Sequence, residues 1–210
     1  MQTTYDKFPE VTVQGYDDQA WQGWESLSAT LRLRASAASR TVLVVDCYPG
    51  VRLDELEQRL LPSLNATRVL NVESARRDQQ ALHDLLARNL TDDRVFGVLS
   101  CHHLEEFFNA DKLHQLRQQV DAVTEGLIVI YGPGAALVHP GDVLVYADMP
   151  RWEIQQRMRH DGLGNWGADN QDEDILRRYK RAFFIEWRVF DRHKTPLLKR
   201  ADYLLDTTQK

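Results

Sequence analysis

Three runs constrain this chain more than anything else in it. "TVLVVD" (41–46), "GLIVIYG" (126–132) and "DVLVYAD" (142–148) are short, dense in Val, Ile and Leu, and lack the polar alternation of a strand with one wet face. Such a run is buried on both sides, which means a parallel strand covered by helices above and below. "TRVLNVE" (67–73) and "ADYLLDT" (201–207) read as two further strands. Between them lie segments with apolar residues at helical spacing: "RLDELEQRLLPSL" (52–64), "ARRDQQALHDLLARNL" (75–90), "DKLHQLRQQVDAVT" (111–124) and "PRWEIQQRMRHD" (150–161). A long basic and aromatic helix is expected over 172–198, and "GLGNWGADNQ" (162–171), with three glycines and two asparagines, reads as a flexible loop. Alternating strand and helix predicts an α/β fold, a three-layer α/β/α sandwich on a mostly parallel sheet. "DRVFGVLSCHHLEEFF" fits no single element.

With 210 residues, 43% hydrophobic and 27% charged, the chain suits one domain over 1–210, preceded by an irregular arm over 1–16. From Asp17, Trp21, Trp24, Leu27 and Leu31 share a helical face, with Asp17 or Asp18 as N-cap and the tryptophans as core anchors. A net charge of -5 and no recognised motif argue against nucleic acid as a partner. No run reaches membrane-span length, and "MQTTYDKFPE" lacks the apolar core of a signal peptide, so no membrane partner and a cytoplasmic location are expected. Cys47 and Cys101 give neither a disulfide framework nor a metal spacing, and no HExxH, CxxC or GxSxG occurs; no metal site is expected.

In a parallel sheet ligands gather at the carboxyl ends of the strands. Those ends supply Asp46 and Tyr48, Glu73, Tyr131 with Gly132 and Gly134, and Asp148. "TVLVVDCYPG" runs from strand to turn to helix, the arrangement that holds a phosphate in many α/β proteins, yet its turn offers Gly50 and no Lys, Ser or Thr. Asp46 suits a base, a magnesium ligand or a turn cap. A second set is basic: Arg157 and Arg159 precede the glycine-rich loop, and Arg177, Arg181, Arg188 and Arg192 recur at steps that share one face of an ideal helix. That set suits a multiply charged anion such as a nucleotide or sugar phosphate, or a solvated face.

Taken in order, "GLIVIYGPGAAL", "DVLVYADMPRWEIQQRMRHD" and "RRYKRAFFIEWRVFDRHKTPLLKRADYLLDTT" resemble P-loop kinases of the uridine kinase type. The resemblance implies a P-loop NTPase fold with a lid-like helix and loop over 150–170, Arg157 and Arg159 facing a nucleotide's phosphates, and Asp93 and Arg94 of "DDRVFG" near the acceptor. The GxxxxGK[ST] loop that such enzymes need is missing, which puts a nucleotide with magnesium in doubt as cofactor. Nearly the whole chain, from "YDKFPEV" through "VVDCYPGV" and "YKRAFFIEWRVFDRHK" to "DYLLDT", is similar to the N-terminal region of long bacterial proteins named class I mannose-6-phosphate isomerases, in which a kinase-like domain precedes a cupin isomerase domain. The likeness implies a degenerate kinase-fold domain that binds a small phosphorylated metabolite beside a cupin. Two alternatives stand: a phosphotransferase of unusual chemistry using Asp46 or Asp93, and an interaction domain, dimeric through tryptophans 21, 24, 152, 166 and 187.

Overall fold

The structure, a computed structural model, describes residues 9–12 and 14–208. Most of the expected arm, including part of its apolar alternation, lies outside the described residues. The strands are β1 (Arg40–Cys47), β2 (Arg68–Asn71), β3 (Gly126–Gly132), β4 (Val143–Asp148) and β5 (Tyr203–Asp206). They form one sheet in the order β2-β3-β1-β4-β5, every pair parallel. The register sets Asp46 beside Gly132 and Asp148 beside Asp206. β1 is buried from Thr41 to Cys47, as its unbroken apolar run requires.

The helices are α1 (Trp24–Ala35), α2 (Leu53–Glu55), α3 (Gln79–Leu90), α4 (Ala110–Asp121), α5 (Arg151–His160), α6 (Ile175–Arg181) and α7 (Trp187–Leu198). Side-chain caps start three of them: Asp78 accepts from the Ala81 amide, Asn109 from Lys112, and Asp174 from Leu176 and Arg177. α2 runs on through a π-helical turn, Leu56–Leu60, into a 3-10 turn that ends at Leu64 with Asn65 left-handed. The segment over 91–103 is irregular, leading into a 3-10 turn at Leu104–Phe107. No helix among the described residues is long and apolar enough to cross a membrane.

Three expectations are corrected. α1 starts at Trp24 rather than near Asp17, because Gly23 takes a φ of 83° that interrupts the helix; Asp17–Gln19 is a separate 3-10 turn. Trp24 still packs on the core, but Trp21 stands 43% exposed against the Tyr203 ring. The long C-terminal helix is broken at Ala182–Glu186 by a π-helical turn between α6 and α7. A π-turn inserts one residue, so side chains beyond it rotate by about 100° and the arginine spacing no longer marks one face. The glycine-rich loop is tied down: Asn165 is buried, its amide donates to the Arg178 carbonyl and Glu186, and Trp166 donates to Glu73 while packing against Phe107, Phe108 and Phe190.

Candidate functional site

β1 delivers Asp46 to the carboxyl end of the sheet with no solvent exposure. One carboxylate oxygen accepts from the Gly134 amide at 3.4 Å; the other accepts from Ala136 at 2.8 Å and meets His193 Nε2 at 2.9 Å. "GPGA" thus folds back over the end of β1, with Gly132 and Gly134 at φ of 111° and 89°, conformations glycine adopts without strain. A buried carboxylate needs this many partners. Asp46 is the pin that joins β1, the turn after β3 and α7.

The turn after β1 is equally committed. The Val51 amide donates to the Tyr48 carbonyl, closing a four-residue turn at Pro49-Gly50. Gly50 offers its carbonyl to Arg157, whose guanidinium, 2% exposed, also donates to Glu153 and to the carbonyls of Thr207 and Thr208. A nucleotide's phosphates with magnesium need free backbone amides, a lysine and a hydroxyl at this place. Here a carboxylate, Asp46, stands at the end of the strand before the turn, and Gly50 presents a carbonyl held by arginine, so the residues do not fit that group.

The remaining candidates are dispersed. Arg159 bonds the Tyr179 hydroxyl and stacks on its ring. Arg188 lies 5.0 Å over the Phe183 ring, and Arg192 donates to the Ser100 and His102 carbonyls. The guanidiniums of Arg157, Arg159, Arg188 and Arg192 are therefore not brought together. Asp93 caps the Val95 and Phe96 amides at 2.6 Å each, which lowers its pKa below the usual carboxylate value, and Arg94 pairs with Asp174 at 2.6 Å. Tyr48 donates to Asp191, and Tyr131 to Glu57 at 2.6 Å; burial first, then those carboxylates, hold both phenols protonated.

What the fold does assemble is a groove of about 500 Å³ between the turn after β3 and α7. Its polar lining is His103, Glu105, Arg192, His193 and Arg200, with Ala136, Leu137 and Leu197 as apolar wall. Arg200 is anchored through the Pro140 carbonyl at 2.7 Å, and His193 through Asp46. The basic side chains outnumber the acid, which suits an anion. Sequence reading missed Arg200 and the Asp46–His193 contact; partners this far apart leave no local signal.

A family model described as a domain of unknown function, DUF8485, matches residues 23–210. The chain belongs to that family. No curated protein matches this DUF8485 domain. Among solved structures, a protein assigned as a fructose transport system kinase from Silicibacter sp. TM1040 superposes with a TM-score of 0.50 at 16% identity, over 88% of this chain and 99% of that one. Shikimate kinase from Bacteroides thetaiotaomicron gives a TM-score of 0.42 at 12% identity, over 80% of this chain and 87% of that one. At such identity the first likeness concerns the fold alone. The DUF8485 domain has the α/β fold of P-loop kinases.

Proposed function

We propose that the DUF8485 domain binds a small phosphorylated ligand, a sugar phosphate or nucleotide, without transferring its phosphoryl group. The observation that carries this reading is Asp46: before the turn that the resemblance likens to a phosphate loop, its carboxylate is buried and spent on the protein's own amides and His193. The groove lined by Arg192, His193 and Arg200 supports the binding half of the reading. The accessory role beside a cupin mannose-6-phosphate isomerase rests on the resemblance in sequence, and it makes mannose 6-phosphate and fructose 6-phosphate the first ligands to try. Thermal-shift titration with these two and with ATP is the test. A ligand at a hundredfold over its Kd stabilises the fold by about 2.7 kcal/mol, and Arg192→Ala with Arg200→Ala should remove that shift. No shift with any of the three, or ATP turnover on a sugar or nucleoside panel, overturns the reading.

A further inference from the structure

A second cavity, of about 480 Å³, opens at the carboxyl ends of β4 and β5 and shares no lining residue with the basic groove. Asp148, the last residue of β4, lies on its wall. One of its carboxylate oxygens is bonded by Lys194; the other, Oδ1, is buried and has no partner among the described residues. An ionised carboxylate so placed lacks acceptor bonds that water or a ligand must supply.

The surroundings narrow the ligand. Lys194 holds its ammonium 4.9 Å from the Tyr48 ring centre and 5.9 Å from that of Tyr146, and Asp148 uses one of its three N–H donors. Asp191, also in the lining, accepts from the Tyr48 hydroxyl and pairs with Arg151, and Asp206 is a third carboxylate there. Three carboxylates against two cations disfavour a phosphate. The lining supplies both acceptors and donors, and a hydroxyl group both donates and accepts. Met149 and Leu204 add an apolar wall for C–H surfaces; Leu204 is 66% exposed on β5, which the packing of the fold does not account for.

We propose that this cavity binds a neutral polyhydroxylated ligand, with one hydroxyl donating to the Asp148 carboxylate and a neighbouring one accepting from Lys194. Sugar rings and open-chain polyols share this chemistry. The test uses D-mannose and sorbitol on the 210-residue chain, followed by saturation-transfer NMR and by the methyl resonances of Met149 and Leu204. Binding of either, with shifts centred on those methyls, is the expected result; which one binds identifies the source. Asp148→Asn and Lys194→Met should each weaken binding about tenfold or more. Mannose 6-phosphate should not displace the bound sugar, so loss of the anion-binding reading would leave this one standing. No transfer to either probe, or shifts centred on Leu137 and Leu197 instead, overturns it. Should the variants fail to fold, the methyl map of the unsubstituted chain still decides.

Discussion

Replacing Asp46 separates a structural pin from a catalytic group. Asp46→Ala removes the acceptor for the Ala136 and Gly134 amides and the partner of His193, at a position where Asp46 itself is closed to solvent. Each buried donor left unpaired costs about 1–3 kcal/mol, and the 3.4 Å bond from Gly134 contributes least. The sum is about 4 kcal/mol, which for a domain of this size lowers Tm by about 10 °C. Asp46→Asn should cost about half as much, since its carbonyl can still accept while its amide faces a backbone N–H. Calorimetry and urea unfolding followed by tryptophan fluorescence measure both variants. A carboxylate kept for chemistry at the expense of stability would leave Tm unchanged or raise it when removed. An Asp46→Ala protein melting within about 1 °C of its parent would therefore refute the pin.

Arg157→Met should leave the carbonyls of Gly50 and Thr207 and the Glu153 carboxylate unpaired, costing about 3 kcal/mol and accelerating hydrogen exchange over residues 205–208. Cys47 is wholly buried, and burial, then the Asp46 carboxylate, push its thiol pKa up; Cys101 is exposed, so a thiol reagent should label Cys101 in the native protein and Cys47 only after unfolding. The Glu106 carboxyl is held below its ordinary value first by the His103 amide, then by His102. A depressed folded pKa adds stability above the unfolded value and loses it on acidification. The deficit of Glu106→Gln in urea midpoint should be present at neutral pH and vanish as the pH falls through the carboxylate range.

The sheet was readable because its signal is local. An unbroken apolar run such as 42–45 can only be buried on both faces, and every expected strand lies in the sheet. The site was less readable because its determinants are pairings. Asp46 announced a polar group at a strand end, but only the fold shows that His193 and the turn after β3 saturate it. The arginine row failed as a pattern for a specific reason: the π-turn at Ala182–Glu186 leaves no mark that periodicity can detect, and it turns Arg188 and Arg192 away from the face of Arg177. Glycines 162, 164 and 167 suggested looseness, yet Trp166 between them supplies enough ring contact to hold the loop down.

The central place of β1 bears on how the chain is made. Its strand partners are β3 and β4, so Arg40 waits for Gly126 and Leu43 for Val143. On the ribosome the run Val42–Val45 emerges long before any strand exists to pair with it. A hydrophobic strand with both edges open is a template for association with other chains. During that interval α1 and the π-helical turn after α2, which lie close in sequence and touch one another, are the parts able to shelter it. A segment wholly buried in the finished domain thus depends for its protection during synthesis on its nearest neighbours in sequence.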